Sequence, residues 1–425
     1  MRRRVLILSL ILSCVVVFGI AGLHWQRSNE AETLSLAALA RLDAPLAEAP
    51  EIDRIHAGDA RSKLERAMQL GRDDRRTRGL FHYATALERV QAGDLVFAED
   101  ELGVARDFLG DTARVHALAG EIARRKSDLL TARVEADAAL ALEPHDVRAL
   151  MLLADLTLDG DEPEQALAAL DALAELAPEV SVVLNRRGLA LERLERFGDA
   201  EASFLLATQK DRLNHNAWIN LGRRLRGRGS IEEARAAFLE ALEVAPGDPD
   251  AWFGRGLTDR DLGRVAEAQQ AFARAAELAP NDAEPLLALG DLALSAHDTD
   301  RAIAAYRRAL AHEDADAGSW LKLGNALFGA SDLVGAEQAY RQALRRSPTL
   351  SAARNGLGAT LMYRGDLEQA AEAFARAAEL DARDPNPLLN LALLARRRGD
   401  AAAERDAYRR VLNRDPNNAI ALARL

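Results

Sequence analysis

Two patterns of apolar and polar positions organise the chain. The first is a block. Val5 to Leu23 carries no charged residue and follows Arg2, Arg3 and Arg4. A helix of that length rises about 28 Å, close to the ~30 Å hydrocarbon core of a bilayer. Charge near the bilayer centre is unfavourable, so the block predicts a membrane-spanning helix over residues 5–23. Three arginines precede it, whereas Arg27, Glu30 and Glu32 follow it. That bias predicts Met1 in the cytoplasm and the rest of the chain outside, with Trp25 at the interface. Two other readings of the segment also export the body of the chain: a removable signal peptide ending near Gly19-Ile20-Ala21, and a lipoprotein signal at Cys14.

The second pattern is periodic. Pro144, Pro178, Pro246, Pro280, Pro348 and Pro416 are separated by multiples of 34, and Arg212, Asp314 and Ala382 fill the intervening slots. A small residue recurs in phase: Ala86, Gly120, Ala154, Gly188, Gly222, Gly256, Gly290, Gly324, Gly358 and Ala392. Twelve residues after each comes an alanine, from Ala98 through Ala132, Ala166, Ala200, Ala234, Ala268, Ala302 and Ala336 to Ala370, and Glu404 breaks the series. Four further on stands a ring in most units: Phe204, Phe238, Phe272, Tyr306, Tyr340, Phe374 and Tyr408. Within a unit the apolar positions follow the i, i+3, i+4, i+7 rule of an amphipathic helix, so each unit reads as a pair of helices. Gly93-Asp94, Gly365-Asp366 and Gly399-Asp400 are expected to turn the first helix into the second, the glycine taking positive φ and the aspartate capping. Asp366 with Gln369 reads as a capping box. The small residue and the alanine are expected where two helix backbones approach most closely, and the ring is expected to fill the wedge between hairpins.

Trp218, Trp252 and Trp320 precede the small-residue slot by four, which completes the signature W-x2-L-G … A-x3-F … P at period 34. The unit from His215 to Asp248 carries all of it, with Trp218, Leu221, Gly222, Ala234, Phe238, Ala241 and Pro246. On these residues the chain resembles the tetratricopeptide repeat family over ten units, Gly79 to Asn418. The resemblance implies an all-α fold, an α-solenoid of helical hairpins, here with one N-terminal transmembrane helix. The expected organisation is a cytoplasmic stub and signal anchor over 1–27, a linker and irregular capping helices over 28–78, the repeats over 79–418, and the start of a terminal helix over 419–425. No single hairpin buries its apolar face, so stability is expected from stacking of neighbours. Units before Ser181 depart from the pattern, with His82, His116 and Leu150 in the tryptophan slot.

Composition narrows the function classes. The net charge of −11 argues against a general nucleic-acid binder, which needs a basic face. Basic residues are nearly all arginine, a skew seen in GC-rich bacterial genomes. Cys14 is the one cysteine, and H-E-x-x-H, C-x-x-C and a G-K-[ST] phosphate loop are all missing, so the sequence predicts no catalytic centre, no metal and no cofactor. The histidines are scattered singly. One helix stands out: that beginning at His215 holds Arg223, Arg224, Arg226 and Arg228 with no acid. The resemblance implies that first helices line a concave groove. Through their positions in the repeat, Asn185, Asn216, Asn220, Arg223, Arg226 and Arg260 are the expected partner-binding residues. Asparagine both donates to and accepts from a peptide backbone, and arginine forks onto a carboxylate. The family's lysine-then-asparagine carboxylate clamp is missing. The resemblance therefore implies a non-catalytic scaffold that binds protein or peptide segments, with self-association possible, and the block over 5–23 places it in the bacterial inner membrane with its repeats in the periplasm. It would serve assembly or export of a larger complex of the cytochrome-maturation, pilus or exopolysaccharide type. The alternative is a subunit presenting substrate to a separately encoded enzyme such as a glycosyltransferase.

Overall fold

The computed structural model describes residues 26–42, 50–311 and 316–425. The expected membrane helix at 5–23, with Trp25, lies outside the described residues. Among those described, no helix is long and apolar enough to cross a membrane, and every regular element is a helix. The chain is an all-α repeat solenoid that divides into two compact units, Met1–Ser230 and Ile231–Leu425.

The first unit holds α1 (26–42), α2 (Pro50–Gln69), α3 (Arg75–Gln91), α4 (Leu95–Leu109), α5 (Ala113–Arg125), α6 (Leu129–Leu142), α7 (Val147–Asp159), α8 (Pro163–Leu176), α9 (Ser181–Arg193), α10 (Phe197–Lys210) and α11 (His215–Arg228). The second holds α12 (Ile231–Val244), α13 (Pro249–Asp261), α14 (Val265–Leu278), α15 (Glu284–Ser295), α16 (Thr299–Ala309), α17 (Ala317–Gly329), α18 (Leu333–Arg346), α19 (Ser351–Arg364), α20 (Leu367–Leu380), α21 (Asn386–Arg397), α22 (Ala401–Arg414) and α23 (Ala419–Leu422). The odd-numbered helices α3, α5, α7 and α9 of the first unit, and α13, α15, α17, α19 and α21 of the second, are the first helices of hairpins with the helix that follows each. At the start of the chain, Ala38 and Leu42 of α1 share one core with Ala60 and Leu64 of α2, Tyr83 and Leu87 of α3, and Leu102 of α4.

Packing follows the phased positions. All nine phased alanines, Ala98 to Ala370, are fully buried, while Glu404, in the tenth slot, is half-exposed. The glycines behave differently from expectation. A Cβ on Gly256 would lie 2.5 Å from the Phe272 ring, and one on Gly324 would lie 2.7 Å from Tyr340. The glycine thus makes room for the ring of its own hairpin, rather than for a second backbone. Tyr340 is clasped from the next hairpin too, since a Cβ on Gly356 would lie 2.5 Å from its Cζ. The ring does occupy the wedge between hairpins.

Helix ends are settled by hydrogen bonds that recur with the repeat. At the turn inside a hairpin the backbone is left-handed at Gly93, Gly365 and Gly399, as the glycines predict, but also at Ser127, Asp161, Glu195, His297 and Ser331 in the same slot. Geometry is therefore imposed by the hairpin even where a side chain disfavours it. The aspartate after the turn caps less regularly than expected. Asp400 accepts from the Ala403 N–H at 2.9 Å, but Asp94 and Asp366 make no side-chain cap, so the Asp366–Gln369 box does not form. Stronger capping lies at first helices: Asp146, Asn214, Asp248 and Asp316, each two residues past the proline slot, accept from the N–H three residues on. These bonds satisfy donors that a helix start leaves open.

The tryptophan slot also has a polar task. Trp218 Nε1 donates to the Arg212 carbonyl at 3.0 Å and Trp252 Nε1 to the Pro246 carbonyl at 2.9 Å. Arg354, in the same slot, donates to the Pro348 carbonyl at 2.9 Å. Each bond ties the loop before a first helix to that helix. Between successive first helices, Arg125 donates to the Val90 carbonyl at 3.0 Å and Arg397 to the Met362 carbonyl at 3.2 Å. Those carbonyls belong to the last turn of the preceding first helix, where intrahelical donors run out.

Candidate functional site

Polar side chains from α5, α7, α9 and α11 of the first unit share one open pocket of about 730 Å³. Asp155, on α7, is part of its lining. Arg124 from the preceding hairpin donates to its Oδ2 at 2.9 Å, and Arg186 from the following hairpin donates to its Oδ1 at 2.6 Å. Beside this triad, Asn220 Nδ2 donates to Asn185 Oδ1 at 3.0 Å across one repeat. Asn185 is buried and Asn216 exposed, and all three asparagines line the pocket. The Asn185–Asn220 bond uses one donor and one acceptor of the pair, leaving further amide donors and acceptors for an extended chain laid across them.

The arginine run of α11 is answered by acids from the preceding hairpin. The Arg224 guanidinium lies 4.4 Å from the Phe197 ring centroid and 4.0 Å from Glu192. Arg228 pairs with Glu201 at 2.6 Å. Burial raises the Glu192 carboxyl above its ordinary range, against the pull of Arg224 and then Arg223. Arg223 is exposed and Arg226 half-buried, and the pocket lining passes them by. Arg260 belongs to the second unit, on α13, where it pairs with Asp261 at 3.2 Å. The structure thus brings Asn185, Asn216 and Asn220 together with Arg124, Asp155 and Arg186, which sequence reasoning passed over. Their signal was present: they stand at the twelfth, ninth and sixth positions of their units, the register used to choose the asparagines.

Helical hairpins phased at 34 residues are the architecture of a helical repeat protein. The chain belongs to the tetratricopeptide repeat family, whose model matches residues 158–215, 219–283, 287–351 and 355–419, more than half of its length. Among solved structures it is similar to an IFIT1 monomeric mutant with m7Gppp-AAAA, at 14% identity and a TM-score of 0.51, covering 90% of this chain and 95% of that one. It is also similar to pilF of Pseudomonas aeruginosa, at 20% identity and a TM-score of 0.43, covering 46% of this chain and 89% of that one. A tetratricopeptide repeat protein from Parabacteroides merdae matches at 22% identity and a TM-score of 0.45, covering 58% of this chain and 99% of that one. At such identities the likeness concerns the fold alone. No curated protein matches the chain.

Proposed function

We propose that the chain is a non-catalytic scaffold held in the bacterial inner membrane by residues 5–23, with its repeats in the periplasm. There it gathers protein partners for assembly or export of a larger complex. The supporting observation is the pocket of the first unit. Its lining includes the bonded Asn185–Asn220 amides and the Arg124–Asp155–Arg186 triad. Amides suit any peptide backbone, and arginines that already share a carboxylate suit an incoming acidic side chain that competes for them. Arg223 and Arg226 extend the basic character along the same helix face.

The test uses the full chain in detergent-solubilised membranes. Partner capture is compared for the native protein, Asn216→Ala with Asn220→Ala, Arg223→Glu with Arg226→Glu, and a control, Arg307→Glu with Arg308→Glu on α16. Capture should fall in the first two variants, with helical content and melting temperature nearly unchanged, and should persist in the control. Added salt should weaken capture, because exposed charges are screened beyond about 8–10 Å. Equal capture by all four proteins contradicts the assignment of the site. For the anchor, a phosphatase fused after Leu425 should be active and the protein should resist alkaline carbonate. An inactive fusion contradicts the orientation.

A further inference from the structure

The asparagine bond of the first unit has a twin in the second. Asn390 Nδ2 on α21 donates to Asn355 Oδ1 on α19 at 2.9 Å. The two pairs occupy the same positions of the repeat, the fifth in one unit and the sixth in the next. What stands beside them differs. In the first unit Leu158 and Arg193 stand at the ends of the neighbouring first helices, whereas the second has Phe328 and Tyr363 at the corresponding positions. Tyr363 is 57% exposed, whereas the other four tyrosines, Tyr83, Tyr306, Tyr340 and Tyr408, are 4% exposed or less. Its ring is held edge-on to Phe328 at 5.5 Å between centroids. The Arg397 guanidinium lies 4.9 Å from its centroid while donating to the Met362 carbonyl. A ring fixed by a neighbouring ring and a guanidinium loses little freedom when a ligand stacks on it, and Tyr and Arg are the residues on which interface energy concentrates. Arg396, Arg397 and Arg398 form an exposed run at this helix end in a chain of net charge −11.

We infer that the second unit carries its own binding surface, centred on Tyr363 and the Asn355–Asn390 pair, for an extended protein segment that presents an aromatic side chain next to a carboxylate. The amide pair bonds the segment's backbone, Tyr363 takes the ring, and the arginine run takes the carboxylate. The surface is separate in residues and in chemistry from the charged pocket of the first unit, so one chain holds two kinds of segment. A nucleic acid would also meet a ring and arginines here. The acidic balance of the chain, −11, favours a peptide over a polyanion.

The full-chain protein is applied to an immobilised library of random short peptides, with single-stranded poly-thymidine as competitor. Peptides with Trp, Tyr or Phe beside Asp or Glu should be enriched. Tyr363→Ala should weaken their binding about tenfold or more, the loss expected of a central aromatic anchor, and Tyr363→Phe should retain it. Arg186→Ala should leave these peptides unaffected. Because Tyr363 is exposed, Tyr363→Ala should keep its helical spectrum, which is measured alongside. Enriched peptides that depend on Arg186 and not on Tyr363 overturn the inference while leaving the first pocket in place. Absence of any Tyr363-dependent peptide, or displacement of the peptides by poly-thymidine through Tyr363, overturns it as well.

Discussion

Hairpins α5–α6 and α17–α18 solve one packing problem in two ways. In the later hairpin, Gly324 leaves space that Tyr340 fills, and the Tyr340 hydroxyl donates to Asn325 Oδ1 at 2.8 Å. In the earlier one the ring slot holds Ala136. The space over Gly120 is taken instead by Leu152 from the next hairpin, whose Cδ2 would stand 2.5 Å from an added Cβ, and the Ala132 carbonyl would stand at 3.1 Å. Where the later hairpins carry tryptophan, the earlier one has His116, paired with Glu135 at 2.6 Å. The repeat therefore conserves a volume and a helix geometry, while residue identities are exchangeable as long as some neighbour supplies the missing atoms.

The comparison breaks most visibly if a ring is removed. Phe272→Ala should destabilise the protein by about 3–5 kcal/mol, because it leaves a ring-sized cavity that packed helices close only in part. Leu152→Ala in the earlier region should cost about 2–5 kcal/mol through the same mechanism with a smaller side chain. Denaturant midpoints at unchanged slope measure both, and a ring truncation milder than the leucine truncation would show that the ring is not the principal filler.

Overfilling should act next. Gly256→Ala places a methyl 2.5 Å from the Phe272 ring and should cost about 1–3 kcal/mol. Gly103→Ala on α4 meets nothing within 4 Å and should instead stabilise by about 0.5–1 kcal/mol, since alanine is the better residue inside a helix. Thermal melting of the two variants should move in opposite directions. Matching shifts would mean that the ring yields to the added methyl.

Much of this was legible in the sequence. The period, the buried alanines and the rings in the wedge follow directly from phased small and large residues. The purpose of the glycines was not, because a small residue says that something comes close without saying whether it is a backbone or a ring. The caps of the first helices were visible as Asp146, Asn214, Asp248 and Asp316, but a reading that treats proline only as a terminator stops two residues short of them. Of the candidate site, the asparagines come together because repeat position sets their direction. Arg124, Asp155 and Arg186 were missed because their pairing runs from hairpin to hairpin at a separation of 31 residues, which no single helix displays.

The smallest effects concern charge. Asp316→Ala should cost about 1 kcal/mol through loss of its cap on Ser319. The backbone N–H of Ser319 holds the Asp316 carboxyl below its ordinary range. That stabilisation is therefore complete above about pH 4 and is lost as pH falls through the lowered value. Glu192 has the opposite sign. Burial raises its carboxyl, so its favourable contribution is present below the unfolded value and is lost as pH rises through the raised one. Urea midpoints across pH for Asp316→Asn and Glu192→Gln should match the native curve at the acid end, where the native carboxyls are protonated, and diverge toward neutral pH in opposite directions, Asp316→Asn falling below it and Glu192→Gln rising above it. Divergence in the same direction would contradict the assigned environments.

The central claim is that rings and alanines hold the stack together while the polar side of the first helices is left for partners. A photo-reactive phenylalanine analogue installed in living cells at position 216, in place of the exposed Asn216 of the pocket, and separately at position 307, in place of Arg307 on α16, tests it directly. The account predicts a cross-linked protein partner from position 216 and none from position 307. Cross-linking from position 307 alone, or equally from both, would contradict it.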